Sequence, residues 1–306
     1  TNITIGNSVE SIGNESFEYC ESLTTITIGN SVTSIGNFAF ENCSSLTSIT
    51  IPDSVTEIGA YAFQWCNWLK TVAMGSGVKS IGRGAFWNCT FLQNIELPAG
   101  IELIDMQAFY LCKLLKSINI PDSITEIKAS TFENCYALKS VNIGQNVEII
   151  GQNAFNHCDA LTSVVIPNKV TVIGLYAFSS CTSLQTVTIG TSVTRIDDYA
   201  FDTCYSLTSV AISDSVQEIG SYAFYDCASL VSVTIPKNVT KIENHAFDKC
   251  YALTSVYCEP TTPPTCGSEV FNNNASGRKI YVPSASVNDY KVSVGWSTYA
   301  DAVEPH

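Results

Sequence analysis

Positive charge is scarce in this chain of 306 residues: 15 Lys and Arg stand against 28 Asp and Glu, a net charge of −13. So acidic a protein repels phosphate, and no nucleic-acid partner is expected. Charged residues of both signs amount to only 14%, against 45% hydrophobic, which is too apolar for a disordered chain. No run of about 18 apolar residues exists, so no segment is expected to insert into a bilayer. Histidine occurs three times, at 157, 245 and the terminal 306. G-x-S-x-G, H-E-x-x-H and phosphate-cradling glycine loops are all missing, so no catalytic residue is nominated and no enzyme is expected. No C-x-x-C pair exists to hold zinc, and Asp197, Asp198 and Asp202 lack the spacing of a calcium loop. Neither a metal nor another cofactor is expected. The chain opens without Met or a leader on TNITIGNSVESIG, already the middle of a repeat, which points to a processed or trimmed start.

What the chain does have is periodicity. Eleven of its 13 cysteines, Cys20 to Cys250, follow one another at intervals of 23 residues, with Leu23 to Leu253, Phe17 to Phe247 and Ile12 to Ile242 in the same register. Four residue types held in step without an insertion define a solenoid of eleven coils over residues 1–253. Within the coil that begins at Leu46, Ile49 and Ile51 alternate as in a strand with one face inward. Pro52 and Asp53 turn the chain, and Val55 and Ile58 mark a second short extended piece. Ala62, Phe63, Cys66 and Leu69 then have the spacing of one helix face. The expected fold is an α/β solenoid with a parallel sheet on one face and short helices on the other. Residues 254–266 read as a twelfth strand and a Pro-rich turn, KIYVP as a strand, and 284–303 as a helix N-capped by Ser284 or Ser286. Residues 254–306 are therefore expected to cap the last sheet edge, with Val287, Tyr290, Val294 and Trp296 over the final coil.

The unit LxxVxIPxxVxxIxxxAFxxCxxL resembles the BspA-like class of bacterial leucine-rich repeats across essentially all of residues 1–253. The ending, with TTPPT, IYVP and GWSTYADAV, is similar to the caps of such proteins from gut and oral anaerobes. The resemblance implies an exported, surface-associated leucine-rich repeat protein that binds a host or bacterial surface protein, with adhesion as its usual proposed role. It supplies no catalytic motif.

Coils three to five depart from the consensus. The residue before the inward Leu is Ser or Ala in eight coils but Trp68, Phe91 and Leu114 in these three. Neighbouring outward positions add Trp65, Trp87, Tyr110 and Leu111, and both Met residues, Met74 and Met106, fall in the same stretch. Such a cluster is either local repacking over the seams between coils or an apolar contact surface for a partner, self-association included. On the sheet face the outward Ser/Thr ladder gives way to Glu96, Asn119 and Asn142, the second set of candidates. A row of Tyr176, Tyr199 and Tyr222 reads as sugar-binding or as a cover for the coil junctions. The eleven ladder cysteines read as reduced, unreactive core thiols, and a bridge between Cys258 and Cys266 stays open. The leading expectation is a non-catalytic, adhesin-like protein-binding module. A spacer without a specific ligand and a carbohydrate-binding module are the alternatives.

Overall fold

The computed structural model describes residues 1–306. They form two compact units, Thr1–Val147 with Asn153–Ala160 and Glu148–Gln152 with Leu161–His306. Both are built from the same coil, and in both the strands of successive coils pair in parallel. In the first unit Ser48–Thr50 pairs with Thr71–Ala73, bringing Ile49 opposite Val72, and the shorter Ser34–Ile35 pairs with Glu57–Ile58. In the second unit Ser163–Val165 pairs with Thr186–Thr188, and Val172–Ile173 with Arg195–Ile196. Partners lie 23 residues apart, so each inward side chain meets its own equivalent. The alternation is as read: Val72 is buried between exposed Thr71 and Ala73.

The third wall of the coil is not helical. Residues 61–66 form consecutive tight turns, and two residues per coil sit in the left-handed region, Tyr61 at φ 56° and Trp65 at φ 60°. Their amides leave the coil: Tyr61 donates to Arg83 O at 2.7 Å, Phe63 to Ala85 O at 2.8 Å and Trp65 to Trp87 O at 2.9 Å. Gln64 and Cys66 instead close three-residue turns onto Tyr61 O and Phe63 O. A helix would satisfy these groups four residues back along its own chain. Stacked turns satisfy them between coils, and the inward spacing of Ala62, Phe63, Cys66 and Leu69 suits either arrangement. The expected short helices are therefore replaced by a ladder of turns.

The core follows the columns. Rings from Phe17 to Phe155 stack through the first unit at centroid spacings of 5.1–5.4 Å. In the second unit Phe178, Phe201, Phe224, Phe247 and Phe271 stack at 5.2–5.6 Å. Cysteine does more than fill space. Cys66 Sγ donates to Phe40 O at 3.2 Å and Cys89 Sγ to Phe63 O at 3.2 Å, and Cys204, Cys227 and Cys250 repeat the bond in the second unit. The residue thus supplies a small apolar body and a weak donor to a buried carbonyl. Burial pushes the Cys43 thiol up to about 12 and the Cys66 and Cys89 thiols well above the ordinary range, which leaves them poor nucleophiles. Turns are locked between coils as well: Asp53 Oδ1 accepts from the backbone N–H (2.7 Å) and the hydroxyl (3.0 Å) of Ser76, which together hold its carboxyl below the usual range. At the first turn the backbones approach so closely that a Cβ on Gly75 would lie 2.3 Å from Pro52 O, which accounts for Gly at this coil.

Beyond Leu253 the stacking continues in a coil one residue longer. Cys266 pairs with Ile242, Phe271 stacks on Phe247, and Asn274 takes the cysteine position, donating to Phe247 O at 2.8 Å. Cys258 and Cys266 are both buried and are not bridged. The single helix expected over 284–303 is instead a 3-10 turn (Ser284–Ser286), a short α-helix (Val287–Val292), a second 3-10 segment (Trp296–Ala302) and a strand (Val303–Pro305). Ser286 is the N-cap residue of the α-helix, but its hydroxyl bonds Thr261 O at 2.6 Å rather than a helix amide. Tyr290 and Trp296 are fully buried, whereas Val294 is 90% exposed, contrary to expectation, because Gly295 at φ 82° turns the chain between them. The closing strand pairs in parallel with Lys279–Val282 and ends in Pro305, which has no N–H to offer a further strand.

Candidate functional site

Trp68, Phe91 and Leu114 each precede an inward leucine of the first unit, so the coil wall aims all three outward. Trp68 and Phe91 stack at 4.5 Å and 14°, and Leu114 continues the row. A second track runs beside it, in which Trp87 packs on Tyr110 at 4.7 Å and on Tyr61 at 6.1 Å. Gly84 makes that approach feasible. It occupies a left-handed position at φ 57°, and a Cβ there would lie 2.4 Å from the Tyr61 ring. Trp65 and Leu111 take the other left-handed position of their coils, both at φ 60°, and project outward.

Burial separates seam filler from open surface. Trp68 remains 50% exposed, Trp65 42% and Leu114 38%, and Met106 at 37% adds to the same coils. Trp87, Phe91, Tyr110 and Leu111 are half-buried. Repacking over the coil seams accounts for Trp87, Tyr110 and Leu111 and leaves unexplained the first group and Phe91, which stacks on Trp68.

The sheet-face candidates divide between two grooves. Glu96 lines a shallow groove of about 420 Å³ with Thr50, Ala73 and Met74. Asn119 and Asn142 line another, of about 320 Å³, with Leu97, Pro121 and Asp122. The two asparagines bond each other, Asn142 Nδ2 donating to Asn119 Oδ1 at 2.5 Å, which spends part of their capacity within the sheet. Both grooves lie on a different wall of the coil from the aromatic rows.

In the second unit Tyr176, Tyr199, Tyr222 and His245 stack face to face at 4.6–4.7 Å. Interior ring faces covered in this way are not open to a sugar. His245 Nδ1 lies 3.0 Å from Asp248 Oδ2 and 3.8 Å from Glu269 Oε2, while Asp248 Oδ1 accepts from Asn273 at 3.0 Å. These three ligand-type groups lie within 4.8 Å of one another. Asp248 is almost fully buried, and its hydrogen bonds join coil eleven to the longer coil that follows.

Nearby, Asp202 is pushed up from 3.8 to about 6, by burial first and by the neighbouring Asp226 charge, against a hydrogen bond from Ser179. Its proton is held more tightly folded than unfolded. The stabilisation is therefore complete below about pH 4 and disappears as pH rises through about 6. Asp202→Asn is expected to flatten the fall in melting temperature between these values. After discounting for solvent screening the effect is about 1–2 kcal/mol, read from paired melts of variant and parent across pH.

A coil of strand, turn, short strand and stacked turns around columns of Leu, Ile, Phe and Cys is the architecture of a leucine-rich repeat solenoid. The chain belongs to the BspA type leucine-rich repeat family, whose repeat region matches residues 1–114, 79–208 and 194–294 in six copies. It is similar in structure to a leucine-rich repeat protein from Bacteroides ovatus, at 27% identity and a TM-score of 0.79, over 100% of this chain and 84% of the other. A leucine-rich cell surface protein from Faecalibacterium prausnitzii is also similar, at 27% identity and a TM-score of 0.50, over 97% of this chain and 89% of that one. The pneumococcal vaccine antigen PcpA shares the fold at 20% identity and a TM-score of 0.51, over 99% of this chain and 77% of that one. No curated protein matches the chain.

Proposed function

We propose that this chain is an exported, surface-displayed recognition module that binds a protein partner through the aromatic wall of coils three to five. The observation that carries the reading is the exposure of Trp65, Trp68 and Leu114 in columns that elsewhere bear mostly small or polar side chains. A spacer gains nothing from apolar groups in water, whereas buried Trp and its aromatic neighbours dominate interface energetics. The similarity to a cell surface protein of Faecalibacterium supports display outside the cell. Membership of a repeat-scaffold family supports a non-catalytic role.

The test is the double variant Trp68→Ala with Phe91→Ser, compared with the parent against immobilised matrix proteins, mucins and glycans, and by light scattering for self-association. Binding to the responding protein is expected to weaken by about 2–4 kcal/mol with unchanged circular dichroism. Equal binding by both proteins rejects the patch. A response confined to glycans replaces the protein-binding reading with the carbohydrate one.

A further inference from the structure

Acidic residues withdraw from the patch. Residues 1–69 carry seven Asp and Glu and no Lys or Arg, whereas residues 70–139 carry seven basic and six acidic residues. No carboxylate side chain occurs among residues 58–95 or 106–121. The column that reads Glu18 and Glu41 in the first two coils becomes Gln64, Trp87 and Tyr110 in the next three, and returns to Glu133.

A basic row runs alongside the apolar one. Trp68 and Lys70 flank the inward Leu69, and Leu114 and Lys116 flank the inward Leu115 in the same way. Coil-to-coil backbone bonds hold this second row in line: Gln93 donates to Lys70 O at 3.2 Å and Lys116 to Gln93 O at 3.1 Å. Lys70 Nζ lies 6.0 Å from the centroid of the Trp68 ring, and Lys116 Nζ donates to Gln93 Oε1 at 3.2 Å. Lys113 stands exposed beside Leu114. Lys79 and Lys128 pair with Glu102 and Glu126, whereas Lys70, Lys113 and Lys116 have no carboxylate within ion-pair reach.

Taking coils three to five as the binding face, we infer that the partner is an acidic protein segment with an apolar or aromatic anchor. The anchor docks on Trp68, Phe91 and Leu114 while the carboxylates of the segment meet Lys70, Lys113 and Lys116. The acidic coils before the patch repel such a segment, so attraction is confined to the place where apolar contact is available.

The probe is a fluorescent random copolymer of Glu and Tyr, titrated by anisotropy against the whole chain, with a Lys–Tyr copolymer as control. Binding is expected for the acidic copolymer alone, with Kd rising about 10-fold between about 50 and about 300 mM NaCl. Lys70→Gln, Lys113→Gln and Lys116→Gln combined are expected to weaken it about 10-fold at the lower salt without lowering the melting temperature. Equal binding of both copolymers, or a lysine variant indistinguishable from the parent, overturns the inference. So does binding of heparin in place of the acidic copolymer. A dimer seen by scattering that the lysine variant dissolves makes a second copy the occupant, which also overturns it. If Trp68→Ala with Phe91→Ser abolishes binding to a matrix protein and the lysine variant does not, the patch stands and the acidic partner falls. If neither variant changes that binding, both readings fall.

Discussion

Phe86→Ala is expected to cost about 3–5 kcal/mol, within the range for removing a buried aromatic ring from a core that cannot collapse around the loss. Phe86 is fully buried between Phe63 and Phe109, with centroids at 5.3 and 5.4 Å and planes within 7°. The void has little freedom to close, because hydrogen bonds on every wall fix the coil spacing. Phe86 itself donates to Ala108 O at 2.8 Å and Phe63 to Ala85 O at 2.8 Å. Stability in such an array is close to nearest-neighbour, so the damage is expected to be local. Amides of coils three to five should exchange at lower opening free energies, while those of the first two coils change less. Denaturant melts followed by residue-resolved hydrogen exchange check both points. Trp68→Ala, one coil away but half exposed, serves as the control and is expected to cost less than about 1 kcal/mol. Equal costs at the two sites would mean that the ring column does not hold the coils together.

Much of this architecture was legible because a repeat with no insertions repeats every environment. The columns of Ile, Leu, Phe and Cys named the inward positions, and parallel pairing at 23-residue offsets followed from stacking them. The helical reading of the third wall failed for a definite reason. Inward positions at i, i+1, i+4 and i+7 are shared by a helix face and by two consecutive turns, and only the backbone distinguishes them. The deciding residues, Tyr61 and Trp65 at positive φ, are not glycine, and the signal lay in other coils of their columns, in Gly84 and in Asn42, Asn88 and Asn134. The carbonyl bond made by ladder cysteines such as Cys66 and Cys89 was hidden, since burial alone explains a small apolar residue. Asn274 is the informative exception. A polar side chain in the cysteine column makes sense only when the column is seen to serve a carbonyl.

The candidate site was legible as a break in a column, and that break located Trp68, Phe91 and Leu114 on one wall. Three features were not. Gly84 reads as one more turn glycine until the Tyr61 ring is seen lying over it. The basic row depends on which residues flank an inward leucine, a relation that charge counts along the chain blur. The grouping of His245, Asp248 and Glu269 was concealed by the extra residue in the coil after Leu253, which puts Glu269 twenty-four positions after His245 rather than twenty-three. Strict periodicity makes an insertion of one residue enough to hide a contact.

Trp296→Ala is expected to open the C-terminal end of the second unit at a cost of about 3–5 kcal/mol. The indole is fully buried, its Nε1–H donates to Pro264 O at 2.7 Å, and its ring packs 4.9 Å from Tyr290 and 5.8 Å from Phe271. Tyr290 in turn donates its hydroxyl to Pro260 O at 2.9 Å, so the two aromatic side chains tie the helical segments to the Pro-rich turn. Truncating Trp296 removes a large apolar group and leaves the Pro264 carbonyl without its donor. The distinguishing readout is thiol chemistry. Burial holds the Cys266 thiol up at about 12 and the Cys258 thiol higher still, so neither should react with an aromatic disulfide reagent in the native parent at neutral pH. Gly295 lies against Cys266 (a Cβ there would be 2.3 Å from Cys266 O), so loosening the Trp296 turn uncovers this thiol directly. The variant is expected to gain fast-reacting thiols at Cys266 and Cys258 while Cys204, Cys227 and Cys250 stay slow, their environment being set by coils on either side. Uniform reactivity of all five would instead mean that the unit unfolds as a whole and that these C-terminal segments hold more than its last edge.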